Sequence, residues 1–324
     1  MAGTITHAFF AKDVLKQVSK KRKIIFDENY VNIFAQSMDP FNFYSILFPI
    51  LPNSKEKRNF SSTFHTCKVN NFFETLIVKI KNDKLSRDKQ VMSFLFGFIS
   101  HYVLDSALHP YVEYKTGKFK KSDKNTYKYN ALHHEMETFL DIYLLRKNNI
   151  SPHKFKSYNI IFKVSNFNSN LNQLINYTFE SVYDFKDFSK YYLKSIKDMK
   201  LSFRLLRYDP LGYKKYLYAI FDFISPKSIL NSKFLSYSYV PKNAICYLNN
   251  EHNRWNYPFN LSIKSKKSFD NIYEESILVA TNLIIKVIDY IEKNKELDIN
   301  SLFNLSYVTG LDWKIPLKKP KFEF

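Results

Sequence analysis

Apolar residues at helical spacing divide most of the chain into helices. Thr4 or Thr6 caps a first helix through His7, Phe10, Val14 and Val18, with His7 in its first turn. A second helical stretch, Tyr30 to Met38, stops at Asp39, because Pro40 follows and the residue before a proline is pushed out of the α region. Phe60 to Cys67, carrying His65, and Phe72 to Ile80 continue in the same style. Ser86 and Asp88 then supply an N-terminal signal for a long helix through Phe94, Phe98, His101 and Asp105, and Pro110 is expected to end it. Lys115 to Lys128 is polar and basic, contains Gly117 and reads as an exposed loop before a helix over Tyr129 to Arg146. Helical periodicity returns at Phe185 to Leu206 and at Asp270 to Ile291, whereas Ile224 to Ser262 is richer in Pro, Ser, Asn and aromatics and reads as irregular. No internal repeat, coiled-coil seam or glycine-rich phosphate loop interrupts this order. The expected architecture is one continuous, all-α domain over 1–324.

Composition supports helices over sheets. Only 5 glycines occur in 324 residues, too few for the frequent turns of a sandwich or barrel. The formal net charge of +19, carried mostly by scattered lysines, suits an anionic partner such as lipid headgroups or nucleic acid, and equally serves solubility. Two cysteines, Cys67 and Cys246, make no disulfide framework and no CxxC pair. His7, Lys12, Asp13, Lys16 and Lys20 interrupt any apolar leader between Met1 and Lys23. The expectation is a cytoplasmic protein, peripheral to a membrane if it meets one, and secreted only if a leader has been removed. The longest apolar stretch, Val91 to Leu104, contains His101 and is shorter than the ~20 residues of a spanning helix, so no transmembrane segment is expected.

The chemistry lies in a four-residue interval. His101, Asp105 and His109 repeat at that spacing, as do His133, Glu137 and Asp141, and on a helix such residues share one face with Cβ atoms about 6 Å apart. Two such helices suggest a metal centre built between them. His109 directly precedes Pro110, which places it at a last turn or beyond and leaves it free to face a different metal from His101. A lone histidine on an apolar helix is more often a core residue than a ligand. Here six of the eight histidines precede residue 135, several with carboxylates at helical spacing, and that reverses the odds. Imidazole with carboxylate suits zinc, whereas calcium or magnesium favours all-oxygen sites. With so few thiolates available, open catalytic coordination is favoured, and hydrolysis of phosphate esters is its natural reaction class.

The ordered run His7, Asp39, His65, His101, Asp105, His109, His133 and Glu137, together with the later stretch Tyr247 to Pro258 and then Ser268 and Phe269, resembles the zinc-dependent phospholipase C family. That family includes clostridial alpha-toxin and is related to fungal single-strand-specific nucleases. The resemblance implies a multi-helix bundle with a metal cluster between helices, the ligands falling in about residues 1–150 and a helical and irregular extension over 151–324. It implies that Asp39, His65, His101 and Asp105 hold one zinc and that His109, His133 and Glu137 hold a second. Asp105 would bridge to a third, shared with His7. An N-terminal tryptophan completes that third site in the family; this chain begins Met1, Ala2, Gly3, and a free α-amino group on Ala2, exposed by removal of Met1, would be the substitute. The four residues from Asp105 to His109 are fewer than in the secreted relatives. His134 and Glu135 fall on another helical face and are expected outside the ligand set.

Three functions follow. The first is hydrolysis of phospholipid headgroup esters by a metal-bound hydroxide, with Asp39 doubling as catalytic base. The second is single-strand nuclease activity of the same centre, with basic and aromatic residues holding the nucleic acid. The third is a non-catalytic, metal-stabilised protein bound to an anionic membrane surface.

Overall fold

The computed structural model describes residues 3–46, 52–118, 123–206 and 244–316, with positions 213, 216, 220 and 223 between the last two ranges. In chain order the helices are α1 (Thr4–Lys21), α2 (Glu28–Phe34), α3 (Ser54–Thr66), α4 (Val69–Asn82), α5 (Lys89–Thr116), α6 (Tyr127–Lys147) and the short α7 (Ser157–Ile160). They continue as α8 (Ser169–Tyr183), α9 (Phe188–Leu205), α10 (Phe269–Lys293) and α11 (Ile299–Leu302). A 3₁₀ turn, Asp39–Phe43, follows α2, and an antiparallel hairpin of β1 (Trp255–Tyr257) and β2 (Asn260–Ser265) precedes α10. The fold is all-α, as expected. Tyr127–Lys147 and Phe269–Lys293 lie within a few residues of the helices anticipated there.

α5 organises the rest. It is apolar on nearly every side, the pattern of a helix enclosed by others, and α1, α2, α6 and α10 pack on it. Asp88 starts it by accepting the backbone N–H groups of Gln90 and Val91 at 2.9 and 3.2 Å. A Cβ at Gly97 would lie 2.6 Å from the backbone carbon of Phe34, so only glycine lets the end of α2 come this close. The approach has a chemical consequence one turn later, where the Ala35 carbonyl accepts from His101 Nδ1 at 2.8 Å. A continuous hydrophobic core extends from Ile5 on α1 to Tyr307 beyond α11.

Pro110 does not end α5, which continues to Thr116. Proline removes the N–H that would bond the Ser106 carbonyl, and that carbonyl instead faces Gly310, where a Cβ would collide with it. Gly310 has φ +62°, so the chain reverses there and covers the interrupted part of the helix. The full α5 is long and apolar enough to cross a membrane by length and composition, but 94% of its most apolar window is buried inside the protein. It is a core helix here.

Other boundaries also move. α2 stops at Phe34, and a turn with Ser37 at φ 44° leads to Asp39. α1 is capped by neither Thr4 nor Thr6. Its N-cap is Gly3, and Asp141 of α6 takes the capping role. The helix α8 was not anticipated, although Leu171, Leu174, Ile175, Thr178 and Val182 form its buried face. Of the stretch expected to be irregular, 224–262, the part before residue 244 lies outside the described residues and the rest contains β1 and the start of β2. The expected loop 115–128 is partly helical at both ends, and its centre, 119–122, lies outside the described residues.

Gly97→Ala would stabilise an exposed helix by about 1 kcal/mol. Here the added methyl overlaps backbone, so the variant is expected to lose about 1–3 kcal/mol, the usual cost of overpacking, and to weaken the Ala35–His101 contact. Urea unfolding measures the loss, and an unchanged midpoint would contradict the close approach.

Candidate metal centre

Four elements converge on one buried point. α1 contributes His7, the 3₁₀ turn Asp39, α3 His65, and α5 His101 and Asp105; none is more than 6% exposed. The position of α1 is set from across the fold, since the Asp141 carboxylate accepts the backbone N–H groups of Ile5 (3.1 Å) and Thr6 (2.7 Å) and the Thr6 hydroxyl (2.7 Å). A carboxylate at a helix N-terminus is favoured electrostatically. Asp141, which shares the four-residue spacing of His133 and Glu137, therefore orients His7 by capping its helix.

Proton accounting defines the imidazoles. His101 Nδ1 donates to the Ala35 carbonyl, and His65 Nδ1 donates to the Ser61 carbonyl at 2.6 Å. A carbonyl only accepts, so each Nδ1 carries the proton and each neutral ring presents a bare lone pair at Nε2. These two Nε2 atoms stand 3.3 Å apart. Two facing acceptors repel unless a cation lies between them, and about 3.3 Å is also the ligand–ligand edge of a tetrahedron with zinc–nitrogen bonds of about 2.0–2.1 Å.

The carboxylates complete the cluster. Asp39 Oδ1 is 3.7 Å from His65 Nε2, Asp105 Oδ2 is 3.8 Å from His101 Nε2, and Asp105 Oδ1 is 3.7 Å from His7 Nε2. His7 stacks on His101 with ring centroids 4.0 Å apart. Among the described residues, two buried triads could each hold a metal ion: Asp39, His65 and His101, and His7, His101 and Asp105, with donor atoms in each within 4.8 Å of one another. Both nitrogens of His7 and Oδ1 of Asp39 are buried without a hydrogen-bond partner. Orphaned donors of this kind, nitrogen and oxygen only, fit zinc. Met1 and Ala2, where the substitute amino group was expected, lie outside the described residues.

The second expected set is looser. His109 on α5 meets His133 on α6 with centroids 5.5 Å apart, and its Nδ1 donates to the Val308 carbonyl at 3.1 Å, again leaving Nε2 bare. Glu137 receives His133 Nε2 and His134 Nδ1, each at 3.2 Å. His134 thus supports Glu137 from the adjoining turn. Glu135 is buried and accepts from the Tyr247 hydroxyl at 2.8 Å, which ties the later chain to α6.

Sequence reasoning missed three contributors. Glu113 follows His109 by four residues, is 6% exposed, and places Oε1 4.0 Å from His109 Nε2; the spacing signal was present but hidden by the expectation that Pro110 ends the helix. Tyr307 seats its ring edge-on to His65, with centroids 4.9 Å apart. The Val308 carbonyl carries no sequence signal, because every residue has one.

Burial holds the imidazoles of His7, His65, His101, His109 and His133 below their ordinary range, His101 down to about 4. At neutral pH they are uncharged, the form that binds metal. Burial, and then Asp105, pushes Asp39 upward, and burial pushes Glu113 up to about 7. Burial also pushes Glu137 upward, but His133 and His134 outweigh it and the net direction is down.

These directions fix the acid response of the metal-free protein. On acidification the unfolded chain protonates its imidazoles near pH 6.5, whereas the folded chain resists until lower pH, about 4 for His101. Asp39 and Glu113 act in the opposite sense but are fewer than the five imidazoles. Stability should therefore be full above about pH 6.5 and fall as pH drops toward 4, by about 1.4 kcal/mol per pH unit for each net proton. Melting in chelator between pH 7.5 and 5 checks this, and a constant or rising midpoint on acidification would refute it.

A family model described as zinc dependent phospholipase C matches residues 6–189, and no curated protein or solved structure matches the chain. The match takes in every ligand candidate from His7 to Glu137 and more than half of the sequence. With this cluster of bare imidazole nitrogens and carboxylates at its centre, the chain belongs to the zinc-dependent phospholipase C family.

Proposed function

We propose that the protein is a zinc-dependent phosphodiester hydrolase that cleaves the headgroup ester of phospholipids. The observation that carries this reading is the pair of bare Nε2 atoms on His65 and His101, 3.3 Å apart and flanked by Asp39 and Asp105. Asp39, His65, His101 and Asp105 would hold one zinc, His109, His133 and Glu137 a second, and His7 with Asp105 would provide for a third. Zinc at such positions acidifies bound water and polarises a phosphoryl oxygen.

The remaining work falls to the chain's own residues. Backbone carbonyls of Ala35, Ser61 and Val308 keep three imidazoles in one tautomer and one orientation. The Asp39 carboxylate, whose Oδ1 is 3.7 Å from His65 Nε2, is the base that would take the proton of the attacking water. Tyr307 and the buried face of α5 keep bulk water from the back of the cluster. The net charge of +19 favours approach to an anionic membrane surface, where the substrate lies.

Zinc-loaded protein should release diacylglycerol from vesicles of phosphatidylcholine, phosphatidylethanolamine or phosphatidylinositol. His101→Ala and Asp105→Ala should each lower the rate by more than about 100-fold, since partners outside the coordination shell already cost 10–100-fold. Chelator should lower the melting temperature of the unmutated protein, because metal bound to the folded state alone stabilises it. Cleavage of single-stranded DNA with no lipid turnover would replace this reading with a nuclease. A zinc-dependent melting temperature without turnover of either would leave a metal-stabilised binding protein.

A further inference from the structure

Glu113 is a buried carboxylate without an evident structural purpose. It is 6% exposed, its Oε2 has no hydrogen-bond partner, and its Oε1 lies 4.0 Å from His109 Nε2. Burying a carboxylate without a partner is costly, so such groups are paired or coordinate metal. The cation that acts on it, Lys118, seats its ammonium 4.4 Å from the centroid of the Phe259 ring.

The surroundings give the carboxylate a ligand's place. α5 and α6 pass each other in opposite directions, with His109 against His133 and Gly117 against Tyr129. Glu113 lies one turn beyond His109 and one turn before the cap Gly117, two positions at this end of α5 that meet α6. Each helix therefore offers one histidine and, four residues later, one glutamate: His109 with Glu113, and His133 with Glu137. His109 Nε2 is bare because Nδ1 donates to the Val308 carbonyl.

We propose that Glu113 is a fourth protein ligand of the second metal, which makes that site a two-histidine, two-glutamate set held symmetrically by α5 and α6. This rests on the metal-centre reading above. Two carboxylates neutralise a divalent ion, and four protein donors leave it less open than a site with three. The second metal is then held by as many protein donors as the first, and neither is left with only three.

The test compares unmutated protein, Glu113→Gln, Glu113→Asp and His109→Ala after zinc loading, with bound zinc counted by mass spectrometry across graded chelator concentrations. The expected result is that one zinc leaves Glu113→Gln at chelator concentrations about 10–100-fold lower than in the unmutated protein, as it does in His109→Ala. Glu113→Asp, which restores a carboxylate, should recover part of the resistance. Cobalt(II) in place of zinc should show a changed visible spectrum in Glu113→Gln. Unchanged zinc retention and an unchanged cobalt spectrum would overturn the ligand role while leaving the metal centre intact. A fall in the melting temperature of Glu113→Gln in chelator would assign the residue to the fold and also overturn it. No zinc bound by the unmutated protein would remove the metal centre and this proposal together.

Discussion

A neutral imidazole has one proton to place, and a backbone carbonyl can only accept it. That constraint governs the centre of this protein. The carbonyls of Ala35, Ser61 and Val308 each claim an Nδ1 proton, so the Nε2 lone pairs of His101 and His65 face each other and that of His109 is left bare beside Glu113. Without those bonds each ring could exchange tautomers or rotate, and the cluster would lose its common direction. Much of the surrounding architecture serves these three contacts. Gly97 admits α2 close enough for Ala35 to reach His101, and Gly310 admits the terminal segment that carries Val308.

The same rings explain why the core can be so apolar around so many polar groups. Burial keeps them uncharged, which avoids the cost of isolated imidazolium ions in a low-dielectric interior. Among the buried atoms still unsatisfied, both nitrogens of His7 and Oδ1 of Asp39 lie in this one cluster. Nitrogen and oxygen donors left bare at one buried point suit a metal, in agreement with membership of a zinc-dependent family.

Most of the helical order was legible in the sequence because amphipathic spacing is a local property. α10 follows directly from its apolar intervals, and the cap at Asp88 follows from its side chain. Errors arose where a distant segment alters a local rule. Pro110 reads as a stop, yet the turn at Gly310 covers the break and α5 continues. That single misreading concealed Glu113, whose spacing from His109 matches the interval already used for the other candidates. Thr4 and Thr6 read as caps for α1, but Asp141 reaches in from α6 and does the capping.

By itself the sequence determined which residue types lie on common helix faces: His101 with Asp105, and His133 with Glu137, because four residues make about one helical turn. The order of those residues along the chain also carried the family. Only the tertiary structure decided which faces meet, which nitrogen of each histidine is bare, and which carboxylate caps a helix instead of joining the cluster. The physical reason is that a backbone carbonyl is chemically the same in every residue. Its effect on an imidazole depends on where packing puts it, and nothing in the identity of Ala35 or Val308 records that position.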